Sequence, residues 1–243
     1  EVLSETDYAE KSYLNNNNNS GNISNEISSG EKMQIDNETN NSNNISYNIE
    51  SNKILKDVLE ETGIAILSEE DVDDKKRLSE EKIWIIDPLD GTTNFLHGLP
   101  VFAISIALMQ HNEVVLGVVY EIGHDELFYA WKDGGAYLNE SRIFVSKTGP
   151  LKETLLATGF PYHDFSKMPQ YMNLLQDCFR YSRGMRRIGS AATDLAYVAA
   201  GRFNGFFEYA TGSGKTLTSL YCSNLLFIKL FNILFLIKIK YGF

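Results

Sequence analysis

Between residues 83 and 138 the chain passes through apolar, β-branched and aromatic segments parted by gaps too short to hold a helix. These segments are 83–86, 102–108, 114–120, 126–130 and 136–138. Asn112 and Glu113 fill one gap, and Gly123 and Asp125 the next. Polar turn residues between apolar runs of this length predict a series of antiparallel hairpins. Further strands are expected at 64–67, 154–158 and 203–209. Helices are expected at 53–61, ended by Gly63, at 169–181, and at 191–200, where Gly201 supplies the stop. In the first of these, Ile54, Val58 and Leu59 are expected on one face. Runs of strands with a few helices predict an α+β fold, a layered α/β sandwich and not a regular βαβ sheet.

Composition divides the chain. Of its 243 residues 43% are apolar and 12% aromatic, enough for a sizeable core. The apolar residues are nevertheless scarce before about residue 52 and dense after residue 82. Four regions are expected: an N-terminal helical remnant at 1–14, an Asn/Ser-rich disordered insertion at 15–50, the main domain at 51–209, and a separate tail at 210–243. The Asn-rich tract has too little apolar surface to offset the cost of ordering it. The chain does not begin with Met, so it is expected to be truncated at its start, and no secretory signal is seen there.

A formal net charge of −10 argues against nucleic acid as a partner, because phosphates call for a basic surface. It suits a site that collects divalent cations. Cys178 and Cys222 are far apart and form no CxxC spacing. That excludes a cysteine-rich zinc site and a disulfide framework, and it predicts a reducing, cytoplasmic setting.

The chemistry concentrates in Asp87-Pro88-Leu89-Asp90-Gly91-Thr92-Thr93. A strand delivers Asp87, and Pro88 is expected to end its pairing and force a turn. Two carboxylates three residues apart, with the Leu89 carbonyl between them, offer hard oxygen ligands to one Mg2+. Gly91 lets backbone approach closely, and the Gly91, Thr92 and Thr93 amides at a helix start can cradle a phosphate. An Asx-type turn followed by a capped helix explains the same seven residues equally well.

The flanking residues separate the two readings. The stretch from Trp84 through Thr93-Asn94-Phe95, continued by His97-Gly98-Leu99-Pro100 and the strand at 102–108, closely resembles the signature of the inositol monophosphatase family. Its Thr93-Asn94-Phe95 ending is similar to the inositol phosphatase branch. The related bisphosphate nucleotidases and fructose bisphosphatases tend to differ there. The resemblance extends from about residue 64 to 209.

The resemblance implies a fold of the inositol monophosphatase and fructose bisphosphatase type, Mg2+ as cofactor, and hydrolysis of a sugar phosphate such as inositol monophosphate. It implies metal ligands at Glu69, Asp87, the Leu89 carbonyl and Asp90, with Glu70 the alternative to Glu69. Thr92, paired with Asp7, is implied to orient the attacking water. Gly189, Ser190, Ala191 and Glu208 are implied to meet the substrate. No membrane partner is expected, and a homodimer is implied. His97 reads as a structural turn residue.

The chain departs from the pattern after Glu208-Tyr209. Family members continue to a Trp-Asp pair whose Asp binds a second metal, whereas Lys215 stands at about that place and no Trp-Asp pair occurs. Catalysis by a chain without that ligand is expected to be impaired. Gly212-Ser213-Gly214-Lys215-Thr216 resembles the phosphate loop of helicase-like ATPases, but too little sequence follows for a nucleotide-binding domain. The apolar run at 225–239 is broken by Lys229, Asn232 and Lys238 and is short for a bilayer span.

Overall fold

The protein is described from a computed structural model, in residues 37–69, 81–147, 149–161 and 165–208. Asp7, Glu70, Tyr209, Lys215 and the regions expected at 1–14 and 210–243 lie outside the described residues.

The expected hairpins form one sheet of seven strands among the described residues: β1 (Ala65–Ser68), β2 (Lys82–Asp90), β3 (Ala103–Gln110), β4 (Glu113–Glu121), β5 (Glu126–Trp131), β6 (Gly135–Leu138) and β7 (Ser141–Ile143), in that order. β1 runs parallel to β2, and each later pairing is antiparallel. His111 and Asn112, both at positive φ (50° and 62°), make the tight turn between β3 and β4. Two consecutive left-handed residues match the right-handed twist of the flanking strands.

Strand β2 does not stop at Asp87 as Pro88 suggested. It continues to Asp90, and its register against β3 shifts between Asp87, opposite Ser105, and Asp90, opposite Ala103. Three steps on one strand face two on the other, which is a bulge. A bulge accommodates a proline that has no N–H to give the ladder, and it re-aims the residues after it.

A second sheet was not legible as such. β8 (Leu155–Thr158) lies between β10 (Gly205–Phe207) and β9 (Gly184–Arg186), all parallel. The short β7 and β9 went unrecognised because three residues carry almost no periodic signal.

Helix α1 (Asn37–Glu60) packs on β1 and β2. It begins within the Asn/Ser-rich tract, and a helix started by its packed turns extends at little further cost per residue. Its buried side is not the expected one. Leu55 and Leu59 turn inward with Asn52, while Ile54 and Val58 are 55% and 61% exposed. Asn52 accepts a hydrogen bond from buried Ser68 at 3.0 Å.

The short α2 (Thr92–Leu96) follows β2, and α3 (Met168–Tyr181) covers β8 and β9 through Tyr171, Leu174, Leu175 and Cys178. Helix α4 (Ala191–Ala199) is buried on nearly every side, because it lies between the sheets. Ala192 and Ala196 pack with Ile83, Ile85 and Phe128, and Leu195, Val198 and Ala199 pack with Ala157 and Phe206. Small alanines on the seven-stranded side allow the close approach that fixes the helix N-terminus.

Candidate active site

Parallel strands deliver the candidate residues in both sheets. The β1–β2 ladder ends at Ser68 opposite Ile86, and the Glu69 N–H then donates to the Ile86 carbonyl at 3.0 Å. Glu69 and Asp87 therefore stand together at the end of the β1–β2 ladder. In the second sheet β8, β9 and β10 are followed directly by Gly159, Arg187 and Glu208. The carboxyl ends of parallel strands are where such sheets gather ligand-binding groups.

Asp90 joins the two halves. One of its carboxylate oxygens, Oδ2, accepts the Ala192 N–H at 2.8 Å and the Ser190 hydroxyl, across 102 and 100 residues of sequence. Ser190 caps α4 by accepting the Thr193 N–H at 3.2 Å. A carboxylate at a helix N-terminus meets unsatisfied amides and the positive end of the helix dipole, so each stabilises the other. The turn at 189–191 is thereby held against the Asp-rich segment, and the Ser190 side chain is buried and directed to Asp90 and Thr193.

Local packing explains the two glycines that need special backbone. Gly91 has φ +90°, and a Cβ there would come within 3.1 Å of the Val101 carbonyl and 3.2 Å of Ser190 Cβ. Gly189 has φ +95°, and a Cβ would come within 2.7 Å of Arg187 and of the Asn94 amide group. Asn94, buried on α2, donates to both the Val101 and Ile188 carbonyls at 2.7 Å. It ties α2 to the turn that carries Gly189.

The signature itself is tightly fixed. Asp87, 1% exposed, accepts the Leu89 N–H at 3.0 Å on Oδ1, as an Asx turn would. Thr92 donates its hydroxyl hydrogen to the Leu89 carbonyl at 3.0 Å. With that hydrogen committed, the Thr92 oxygen meets a water molecule as an acceptor. The Gly91, Thr92 and Thr93 amides stand at the start of α2, where no side chain caps the helix. His97 is exposed at the end of α2, and its N–H donates to the Thr93 carbonyl, in keeping with a turn residue.

The donors Asp87, Asp90 and the Leu89 carbonyl are hard oxygens, and their chemistry fits magnesium. Among the described residues, however, no three Asp, Glu, His or Cys side chains gather closely enough to enclose a metal ion. Glu69 reaches the same end of the sheet but does not complete a trio with the two aspartates. Each aspartate has one oxygen turned toward backbone amides, which sets the orientation of the other.

Two residues near the site, Asp194 and Phe160, carried no sequence signal. Asp194, in the first turn of α4, is 2% exposed, and its Oδ1 has no hydrogen-bond partner among the described residues. Burial, and then the charge of Asp90, push its carboxyl up to about 9, with Glu208 adding and Arg187 opposing. Arg187 lies over the Phe160 ring at 5.5 Å. Glu208 packs against Gly159, where a Cβ would come within 2.5 Å of its Oε2. The Gly159 carbonyl is fixed by the Tyr171 hydroxyl at 2.7 Å.

A model described as the inositol monophosphatase family matches residues 12–216. That match runs past 209 and takes in the first residues of the expected tail. The chain is 49% identical over 125 residues to an inositol-1-monophosphatase of Rhizobium meliloti, covering 51% of this chain and 47% of that protein. It is equally similar, with the same coverage, to the Nus factor SuhB of Escherichia coli. The crystal structure of the extragenic suppressor protein suhB from Bartonella henselae matches with a TM-score of 0.64 at 36% identity, covering 75% of this chain and 72% of that one. The chain spans about half the length of the curated relatives it matches.

Proposed function

The chain belongs to the inositol monophosphatase family, and on that premise we propose that it hydrolyses a phosphate monoester, inositol monophosphate first, with Mg2+ as cofactor. The observation that carries this reading is the Asp90 carboxylate, which bonds the signature segment to the α4 turn. It joins the Asp87–Asp90 segment, whose oxygens suit a hard cation, to the turn at 189–191.

In this reading Asp87, Asp90, the Leu89 carbonyl and Glu69 hold the cation, and the Gly91, Thr92 and Thr93 amides hold the phosphate. When bound, the cation supplies Lewis-acid neutralisation of phosphate charge and acidifies water. Thr92, acting as an acceptor, takes a hydrogen bond from the attacking water and turns a lone pair toward phosphorus. Asp7 is proposed to accept the water's other hydrogen, so that the two side chains position it together. Gly189, Ser190 and Ala191 shape the pocket for the alcohol, and Glu208 accepts from its hydroxyls. The water oxygen forms a new P–O bond and gives up a proton as the ester P–O bond breaks, and the leaving alcohol takes up a proton in its place.

The same reading gives a cytoplasmic homodimer with no nucleic-acid or membrane partner. Among the described residues no helix is long and apolar enough to cross a membrane. The equal similarity to a Nus factor supports a second reading, a partner-binding protein whose catalysis is impaired by Lys215.

Phosphate release from inositol 1-phosphate with magnesium decides between them. The first reading requires release, and Asp87→Asn should then lower kcat/KM by at least about a hundredfold. No release by the unmodified chain, with grafting of a Trp-Asp-containing C-terminus restoring it, supports the impaired reading.

A further inference from the structure

Glu69 follows a strand that does little by itself to place it. β1 has four residues and lies at the sheet edge, with β2 as its one neighbour among the described residues. Its last residue, Ser68, stands opposite Ile86, and the Glu69 N–H then closes the ladder on the Ile86 carbonyl. A second hold on this strand end comes from outside the sheet. Asn52, on α1, accepts the Ser68 hydroxyl hydrogen on its Oδ1 at 3.0 Å. Ser68 is 2% exposed, so bulk water does not reach that hydroxyl, and losing its acceptor would leave a buried donor unmet.

Both polar residues stand where apolar ones would serve packing better. Asn52 shares the inward stripe of α1 with Leu55 and Leu59, three and seven residues on. An amide there costs helix propensity and desolvation, which the bond to Ser68 offsets. Ser68 is the buried polar residue of a strand whose other buried residue is Ile66. The bond joins α1 to β1 one residue before Glu69, at the end of the sheet where Asp87 also stands. We propose that Asn52 is a positioning residue for the cation site: through Ser68 it fixes the backbone that carries Glu69, and so sets the affinity for magnesium.

This rests on the reading of Glu69 as a cation ligand, and the variants keep the two apart. Magnesium affinity of the full chain is measured by isothermal titration well below Tm, with the magnesium half-saturation of phosphate release where turnover occurs. Asn52→Ala should weaken magnesium by about tenfold, as loss of a group that orients a ligand does. At saturating magnesium, KM for inositol 1-phosphate should stay within about twofold, because the bond bears on the cation and not on the ester. Ser68→Ala removes the other half of the same bond and should act alike, and the two together no more than either alone. Glu69→Gln should cost at least as much as Asn52→Ala, and adding Asn52→Ala to it should cost nothing further. Ile54→Ala, at an exposed position of the same helix, should leave the affinity within about twofold.

A lower Tm in Asn52→Ala with unchanged magnesium affinity would make the bond a packing feature only and overturn the proposal. So would an equal loss from Asn52→Ala in the presence and absence of Glu69→Gln, since Asn52 would then act by another route. If Asn52→Ala does not fold, Ser68→Ala decides by the same comparisons. Unchanged affinity in Glu69→Gln overturns the assignment of Glu69 and this proposal with it, while Asp87→Asn still tests the cation reading itself. Intact Glu69 dependence with no Asn52 effect overturns this proposal alone.

Discussion

Asp194 is a carboxyl in a place that suits a neutral group. Its folded form holds the proton up to about pH 9, whereas an unfolded aspartate releases it near pH 4. Between those values the folded state binds more protons than the unfolded one, so stability falls as pH rises, and the fall ends above the folded value. The slope per proton approaches about 1.4 kcal/mol per pH unit. Asp194→Asn, of the same shape and always neutral, should flatten this decline. Urea unfolding of both proteins from pH 5 to 9, in chelator so that no cation bears on Asp90, provides the check. Parallel stability curves for the two proteins would show that Asp194 ionises freely in the fold. Nothing in the sequence pointed to this residue. Asp87 and Asp90 were legible because they sit three apart in a short motif, but the role of Asp194 depends on burial between two sheets. The contact of Arg187 with Phe160 was illegible for the same reason, since it joins loops from different strands.

Between elements, the site is assembled by side chains that bond to backbone far away in sequence. The hairpins at 103–138 were readable because period-two alternation and turn residues are local. The parallel pairings of β1 with β2 and of the three strands in the second sheet were not, because no turn announces them. Pro88 misled for a related reason: the bulge that tolerates it exists only against β3. Asn94 belongs to the same class. Thr93-Asn94-Phe95 marked a branch of the family, yet the work of Asn94 is to bridge Val101 and Ile188. Asn94→Ala leaves two carbonyls without their donor, at a cost of about 2 kcal/mol, or roughly 4–8 °C in Tm for a chain of this size. Phosphate release should fall along with it, because the Gly189 turn loses its tie to α2. A Tm within about 1 °C of the unmodified protein by calorimetry would mean that water takes over both bonds.

At the scale of the molecule, the two sheets among the described residues share no strand and are held in register by α4 and by one carboxylate at its N-terminus. This arrangement buries Asp87 and Asp90 three residues apart in a chain whose net charge is already −10. Buried carboxylates repel one another, and a hard divalent cation bound to Asp87 and Asp90 would favour the folded state that brings them together. Binding to the folded state alone stabilises by about 2.7 kcal/mol at a hundredfold excess over Kd, or roughly 5–10 °C in Tm here. Magnesium should therefore raise the melting temperature in a saturable way, and chelator should reverse the rise. Asp87→Asn should abolish most of the rise without preventing folding, since an asparagine Oδ1 can still accept the Leu89 N–H. Because melting needs no turnover, the measurement reports on the cation site even if the chain hydrolyses nothing. A rise of the same size in Asp87→Asn would mean that magnesium acts elsewhere on this acidic surface, and the assignment of Asp87 as a ligand would be lost.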